Sequence, residues 1–380
     1  MEASIAIITT PSLIVKPAEG ELVSVYDFLT KNCAHVSIHA LYWFNYFAEA
    51  QSFGAALATH PEFTPEELDQ ELGGLIVEGF LVVEGSERHT EAQTFKTSWG
   101  WDITSALFHF TILNSPFATS SESTAIQAAK ASHVASPVLH WRNGEGGEPL
   151  PRPGSHIERS VFDTMVRRRT NRNSTQETLT AGEIGDCLFA GLGITGFVHA
   201  PLGMLPLSMT PSGGARNPYE AYVIVRSARD VRPGVYHYSA QEHSLALLSH
   251  APPNEVASLF ASQEWIETAP VIIVLVAVFE RTMWKYPDPN AYRVAMIEAG
   301  HIGQNIMLAA TSMGLTACPT AALSHDPLAA LFEVKGMTHA PVYALSLAHA
   351  AQSDDVVVPN GILFPSVSRV ATYQQVGAAE

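Results

Sequence analysis

The chain has 380 residues, of which 47% are hydrophobic and 15% are charged, so its length suggests two domains and its apolar content supports a sizeable core. The longest apolar run, residues 269–279, is shorter than the roughly 18–20 residues that cross a bilayer, and the N-terminus lacks the pattern of a signal peptide. Three widely spaced cysteines match neither a disulfide framework nor a zinc site. We therefore expect a soluble, cytoplasmic protein without a metal.

The formal net charge of −16 is unevenly distributed along the chain. Residues 1–150 contain 18 acidic and 6 basic residues, whereas residues 151–380 contain 19 and 15. Because an acidic surface repels a phosphate backbone, the first half is not expected to bind nucleic acid.

The first half begins with aromatic and aliphatic side chains at helical spacing, which predict helices between Val25 and Ala58. Residues Thr64–Glu67 form a capping box, and the helix that they begin ends at Gly79. Residues Phe80–Val83 are predicted as a strand and lead into a turn. This order is typical of a winged-helix module. Its acidity favours peptide or protein binding over DNA binding.

A second aromatic cluster, formed by Trp99, Trp101 and residues 107–110, predicts packing against another domain or a partner. Residues 118–154 are rich in Ser, Ala, Gly and Pro, which is typical of a linker with at most one short helix. The predicted domains are therefore a winged-helix-like, peptide- or partner-binding domain over 1–117, a linker over 118–154, and a second domain over 155–380. In the second domain, strands and helices without regular β-α-β spacing indicate an α+β fold.

The second domain opens with a basic segment, RRRTNR, at residues 167–172. Guanidinium groups bind phosphate in a bidentate manner, and a threonine hydroxyl adds a hydrogen bond, so the segment is a candidate phosphate site. A solvated helix end is the alternative.

A formal G-x-G-x-x-G pattern runs from Gly191 to Gly196. In a dinucleotide-binding fold this pattern follows a strand and opens a helix, but here it closes the helix that the capping box Thr180–Glu183 begins. We therefore predict a helix end and a loop, and no Rossmann domain.

Residues 211–218, PSGGARNP, form a turn with few side chains before a strand that begins near Tyr222. Its glycines allow backbone amides to approach a flat ligand, and Ser212 and Arg216 can add donors. A plain loop is the alternative.

The central segment, residues 281–305, places Lys285 and Tyr286 beside two prolines and then continues as a helix with a mostly apolar surface. The prolines predict that the pair lies in a loop. The simplest alternative is a surface lysine beside a packing tyrosine.

Taken together, RRRTNR, TPSGGARNPYEAYV, PGVYHY, WKY, AYR and EAGHIGQNIMLAATSMGL resemble the nitroreductase superfamily in its SagB-type branch of azoline (thiazoline or oxazoline) dehydrogenases. The resemblance covers about residues 155–350. It implies a nitroreductase-like α+β fold, a homodimer, and one FMN at each of two interfacial sites. The cofactor-binding residues that it implies are Arg168, Arg169, Thr170 and Arg172 at the phosphate and ribityl chain, Pro211, Ser212, Gly213 and Gly214 in the turn along the isoalloxazine, and Thr320, Ala321 and Ala322 near the flavin N5 edge. Arg216, as a donor in the same turn, is a further candidate for cofactor binding. Arg369 in the C-terminal tail is a further candidate.

Lys285 and Tyr286 match the Lys-Tyr pair that the branch associates with dehydrogenation. Converting an azoline to an azole removes a proton and a hydride from adjacent ring carbons, and the resemblance implies that FMN N5 accepts the hydride while the pair acts as the base. The reference pKa values, about 10.4 for Lys and about 10 for Tyr, must be lowered for this role at neutral pH.

The branch commonly has an arginine after the pair, where this chain reads PDPNA, so substrate contacts differ there. The leading hypothesis is an FMN-dependent dehydrogenase that oxidises azoline-like or related saturated C–N units in a peptide or other natural product, with a biosynthetic partner enzyme. The alternatives are an NAD(P)H-dependent nitroreductase or quinone reductase and a non-catalytic subunit of a peptide-modifying complex.

Overall fold

The structure is a computed structural model that describes residues 1–351 except 101, 114–119, 140–144, 155–159, 176, 202, 335–337 and 350. It divides into two compact units, Met1–Phe117 and Ala118–Glu380. Arg369 and Trp101, both singled out in the sequence, lie outside the described residues. No helix of the described part of the chain is long and apolar enough to cross a membrane.

The first unit combines two small antiparallel sheets with five helices in its described residues. The strands are β1 (Ala6–Thr9), β2 (Leu13–Pro17), β3 (Leu22–Asp27), β4 (Asn32–Ser37), β5 (Gln51–Ser52) and β6 (Leu81–Val83). The helices are α1 (Ala40–Tyr46), α2 (Phe53–Thr59), α3 (Pro65–Val77), α4 (Glu87–Ser98) and α5 (Ile103–Ile112).

The helices α1–α3 and the sheet β5-β1-β6 follow the predicted winged-helix-like pattern. The capping box is present, because Thr64 Oγ1 accepts from the Glu67 amide at 3.2 Å while Glu67 accepts from the Thr64 amide at 2.8 Å. The turn after β6 leads into α4, so the third strand of the small sheet is β1 from the start of the chain.

The helix predicted from Val25 onward is wrong, because this stretch lies in the antiparallel sheet β2-β3-β4. Along β3, Val23, Val25 and Asp27 are buried and alternate with more exposed neighbours, which is the two-residue period of a strand. The chain reverses at Lys31, whose φ is 64°. The second aromatic cluster packs inside this unit, where the Trp99 ring lies 5.2 Å from that of Phe110.

The second unit contains the remaining elements, among them the predicted helix after Thr180, the strand near Tyr222 and the helix of the central segment. Its strands are β7 (Glu145–Pro149), β8 (Ile194–Ala200), β9 (Gly203–Ser208), β10 (Tyr219–Val225), β11 (Gly234–Ser239), β12 (Ser244–Ser249), β13 (Val271–Val278), β14 (Leu315–Thr320) and β15 (His339–His349). Its helices are α6 (Ser120–Ala131), α7 (Val161–Arg167), α8 (Ala181–Leu192), α9 (Phe279–Lys285), α10 (Asn290–Ser312) and α11 (His325–Leu331). Residues 118–154, predicted as a linker, thus contribute α6 and β7.

The core of this unit is an antiparallel sheet of seven strands in the order β14-β15-β13-β10-β11-β12-β7. Every residue of β13 is buried, because helices and loops cover both faces of the sheet. Ile273 and Leu275 pack with residues of α8 and α10, while Ile272 and Val274 pack on the other face with Leu328. Buried on both faces, the strand reads as one apolar run rather than an alternation.

The helix α10 packs against α7, α8, α9, β14 and β15. At one crossing the helices approach closely: a Cβ at Gly191 of α8 would lie 2.9 Å from an Ile306 side-chain carbon. The glycine-rich pattern closes α8 as predicted, with Gly193 as its C-cap, but β8 follows at once where a loop was expected.

Candidate active site

The turn between β9 and β10 has an unusual backbone that its sequence permits. Gly214, Ala215 and Asn217 have φ values of 62°, 53° and 45°, in the left-handed region. The Ser212 hydroxyl accepts a hydrogen bond from the Asn217 amide at 2.9 Å and closes the turn. The turn therefore presents backbone with little side chain.

Lys285 and Tyr286 meet at this turn. Lys285 is the last residue of α9 and Tyr286 its C-cap, so the pair ends a short helix rather than lying in a loop, and the following prolines end that helix. Lys285 Nζ donates to the Gly214 carbonyl at 3.4 Å. A Cβ at Gly214 would lie 2.5 Å from both Lys285 Nζ and Tyr286 Oη. Both polar groups thus converge on one glycine.

The surroundings move the two pKa values in opposite directions. Partial burial lowers the pKa of Lys285, and the positive charge of Arg216 lowers it further. Burial raises the pKa of Tyr286, with a smaller opposing effect from Arg216. Tyr286 is therefore held in its protonated, hydrogen-bond-donating form, while the neutral amine of Lys285 becomes more accessible.

Glu298 holds the turn from the other side, a role that the sequence interpretation missed. Its carboxylate on α10 accepts from the Gly213 amide at 2.6 Å. Burial raises its pKa, opposed by that hydrogen bond and by one from Ser212. A signal was available, since Glu298 lies three residues after Ala295 and four before Ile302, on the buried face of α10.

A buried ionic network lies beside the pair. The Arg281 guanidinium contacts the Glu220 carboxylate, which also lies 3.0 Å from His237 Nε2. Burial raises the pKa of Glu220, but His237 and Arg281 outweigh it, so the net pKa is lowered. Arg281 thereby fixes α9 against β10, and with it the position of Lys285.

The basic segment follows α7 and packs along β14. The Arg172 guanidinium lies 5.7 Å from the centroid of the Trp265 ring, and Thr316 donates to the Asn171 carbonyl at 3.1 Å. In the described part of the chain no carboxylate forms an ion pair with Arg168, Arg169 or Arg172, so their charges are available to an anion. This donor set fits a phosphate.

The loop after β14 begins at Thr320, which is buried and accepts from the Ala322 amide at 3.1 Å, while Ala321 is exposed. β14 thus links this loop to the basic segment. The candidate residues thus form two groups. The first is the basic segment with the loop after β14, and the second is the turn with Lys285, Tyr286 and Glu298. Between described residues of the two groups no hydrogen bond or ion pair is present within one chain.

The enclosed space beneath the turn is small. A cavity of about 20 Å³ lies between Pro211, Tyr219 and Ile302, enough for one water but not for a ring system. A flat cofactor would therefore lie on the outer side of the turn. The Arg216 guanidinium does not lie on that outer side. It is buried, donates to the Arg281 carbonyl at 2.9 Å and lies over the Trp284 ring.

Sequence comparisons agree with this fold. The family model described as the nitroreductase family matches residues 165–349. The nitroreductase-type protein MJ1384 of Methanocaldococcus jannaschii is 33% identical over 182 residues, which are 47% of this chain and 86% of that protein. The trifolitoxin-processing protein TfxB of Rhizobium leguminosarum is 38% identical over 114 residues, 28% of this chain and 30% of TfxB. The microcin B17-processing protein McbC of Escherichia coli is 28% identical over 195 residues, 47% of this chain and 67% of McbC.

The fold and these comparisons define a flavin-dependent oxidoreductase with an additional N-terminal unit. The chain belongs to the nitroreductase family, whose cofactor is FMN, and the resemblance seen in its sequence is confirmed.

Proposed function

We propose that the protein is an FMN-dependent dehydrogenase that oxidises azoline-like or related saturated C–N units in a peptide or other natural product. The observation that carries the proposal is the convergence of Lys285 Nζ and Tyr286 Oη on the Gly214 backbone. A nicotinamide-dependent reductase does not require a base at this place, whereas removal of a C–H proton does.

The opposite pKa shifts assign different roles to the pair. Lys285, with its lowered pKa, takes a proton from one ring carbon. Tyr286, with its raised pKa, stays protonated and donates a hydrogen bond that orients the substrate or Lys285. Glu298 keeps the turn in place, so that the substrate and the Lys285 amine meet at a fixed distance.

As the proton moves to Lys285, the electron pair of that C–H bond forms a double bond to the adjacent carbon, which loses a hydride. FMN, when bound, supplies the acceptor for this hydride. Dioxygen finally takes up two electrons and both hydrogens as hydrogen peroxide, so azoline and oxygen give azole and peroxide.

FMN would be held by the residues that the family resemblance names. Arg168, Arg169, Thr170 and Arg172 would bind its phosphate and ribityl chain, and the turn at residues 211–214 would lie along its rings. Thr320, Ala321 and Ala322 would lie near its N5 edge. Arg168, Arg169 and Arg172 form no ion pair with a carboxylate among the described residues, which supports the first assignment. Arg168→Ala combined with Arg172→Ala should abolish stoichiometric FMN binding.

A homodimer would complete such a site, since the cavity of about 20 Å³ beneath the turn is too small for the flavin. Large apolar side chains are exposed on α7, on the β8–β9 hairpin and on α10, which supports an interface there. They are Val161, Phe162, Met165, Phe197, Val198, Met204, Leu207, Tyr292 and Ile297.

The first unit would hold the peptide substrate or a partner enzyme. The sheet β2-β3-β4 ends in the edge strand β4, where an extended segment can pair, and the acidic charge of this half favours a basic segment. The processing proteins TfxB and McbC, which share part of this sequence, support a role in peptide modification.

The test begins with the absorbance spectrum of the purified protein and anaerobic addition of NADPH. A flavin band that persists with NADPH but bleaches with an azoline-containing peptide supports the dehydrogenase, and the product should lack two hydrogens by mass. Rapid bleaching by NADPH would instead favour a nitroreductase or quinone reductase, the activity that the similarity to MJ1384 suggests.

The base is tested with Lys285→Ala and Tyr286→Phe. Each should retain the flavin band but lose roughly 10²–10⁴-fold in turnover, the usual contribution of a positioned acid or base. Tyr42→Phe, which changes an exposed tyrosine of α1 in the first unit, is the matched control. Unchanged turnover in both variants would refute the assignment.

A further inference from the structure

The segment Lys130–Val138, which begins in the last turn of α6, lies across α9; we refer to it as the strap. We propose that the strap is a positioning element that fixes Arg216 beside the Lys285–Tyr286 pair. This inference rests on the proposed role of the pair as the base.

Four hydrogen bonds hold the strap to the site. Arg216 Nη2 donates to Ser136 Oγ at 3.0 Å, and Arg281 Nε donates to the Val138 carbonyl at 2.9 Å. Trp284 Nε1 donates to the Val134 carbonyl at 3.3 Å, and Lys130 Nζ donates to the Met283 carbonyl at 3.3 Å. Three of these bonds end on α9, the helix that ends at Lys285, and the fourth ends on the turn.

The strap is held by polar groups rather than by burial of apolar side chains. Val134 and Val138 offer their carbonyls to the site, while their residues remain 53% and 65% exposed. Removal of one acceptor therefore disturbs the site without opening a core. Ser136 is the only strap residue whose side chain accepts a hydrogen bond from the described residues around the pair.

Arg216 connects the strap to the Lys285–Tyr286 pair. Its guanidinium lies 5.0 Å from the centroid of the Trp284 ring, and Nε donates to the Arg281 carbonyl. The hydrogen bond to Ser136 is its third contact. Without Ser136, Nη2 loses its acceptor and the guanidinium gains freedom to turn towards solvent.

The charged groups around the pair determine the direction of the change. Arg216 faces both Lys285 and Tyr286, Glu298 faces Tyr286, and Arg281 faces Arg216. Lys130 contributes a further positive charge at the Met283 carbonyl, in the last turn of α9. Because a nearby positive charge lowers a lysine pKa, a displaced Arg216 lets the pKa of Lys285 rise, and the acid limb of the pH–rate profile moves to higher pH.

The test compares Ser136→Ala with Ser136→Thr, which keeps a hydroxyl, and with Ser132→Ala. Ser132 lies in the same strap, and its hydroxyl donates to the Ala129 carbonyl at 2.7 Å. The first readout is the pH dependence of acetic anhydride labelling of Lys285, read by peptide mass spectrometry on the full-length protein. The second is the pH profile of kcat/KM for dehydrogenation.

We expect Ser136→Ala to raise the apparent pKa of Lys285 by about half a unit, a ~3-fold loss of neutral amine at fixed pH. Ser136→Thr and Ser132→Ala should behave like the wild type. In an Arg216→Gln background, which melting curves must show to be folded, Ser136→Ala should add nothing further. If that background does not fold, the serine variants alone decide.

Wild-type labelling of Ser136→Ala, or an equal shift in Ser132→Ala, would overturn the inference. The inference would also be overturned if Ser136→Ala raised the apparent pKa of Lys285 by the same amount in the folded Arg216→Gln background. A labelling shift in a protein that dehydrogenates no azoline would support the strap and refute the proposed function, so the two failures can be told apart.

Discussion

Gly214→Ala is the sharpest test of how the site is built. The new Cβ would lie 2.5 Å from Lys285 Nζ and Tyr286 Oη and 2.8 Å from Lys285 Cδ. Since ordinary contacts of such atoms are about 3.5 Å, both side-chain ends must move by roughly 1 Å. They are the ends of flexible side chains, so we expect the chain to fold. The left-handed φ of 62° adds about 1–2 kcal/mol of destabilisation.

A displacement of this size at reacting groups can cost about 10²-fold in turnover, and we expect a loss of that order in azoline oxidation. The assay is steady-state turnover at a fixed FMN content, verified by absorbance. Gly314→Ala is the matched control, because Gly314 also has a left-handed φ, 81°, but no atom would lie within 4 Å of its Cβ. Both variants should lose similar stability. Wild-type turnover in Gly214→Ala, or an equal loss in Gly314→Ala, would refute the reasoning.

Three further predictions concern the surroundings of the site. Burial raises the folded-state pKa of Glu298, so its carboxylate costs stability as pH rises above about 4.5. Glu298→Gln should therefore melt at a higher temperature than the wild type at pH 7 and at no higher temperature at pH 4. An opposite pH trend in melting temperature would contradict this. Glu220→Gln removes the negative charge beside the buried Arg281 and should lower the free energy of unfolding by about 3–5 kcal/mol in urea titrations. Glu177→Gln, which changes an exposed pair, is the control and should change the free energy of unfolding by less than about 1 kcal/mol. Phe197→Glu should convert the dimer to a monomer, as measured by light scattering. Val77→Glu, at a position that is 85% exposed in the first unit, is the control and should leave the dimer intact. A monomeric wild type would exclude the proposed dimer.

Much of the second unit could be predicted from local signals. The capping box at Thr180, the apolar run of β13 and the prolines after Tyr286 each fix a boundary through nearby residues alone. The convergence of Lys285 and Gly214 could be anticipated only from the family resemblance, because no spacing in the sequence links residues 71 positions apart.

The errors have physical causes. β3 and β4 were predicted as helix because aromatic and aliphatic residues fit either period over a short stretch, and pairing with a neighbouring strand decided the outcome. β7 was missed because EGGEP has no strand propensity, and it pairs with β12 through backbone hydrogen bonds. The position of Glu298 on the buried face of α10 indicates a buried carboxylate, but the sequence does not show that its partner is the backbone amide of Gly213.

The position of β7 bears on how the chain can be divided. A version shortened to begin at residue 155 would lack β7 and the strap, leave the edge of β12 unpaired and remove the acceptors of Arg216, Arg281 and Trp284. An unpaired strand edge invites association between chains. Exchanging the N-terminal unit for that of a relative should therefore place the junction before Ala118, so that the strap stays with the site that it contacts.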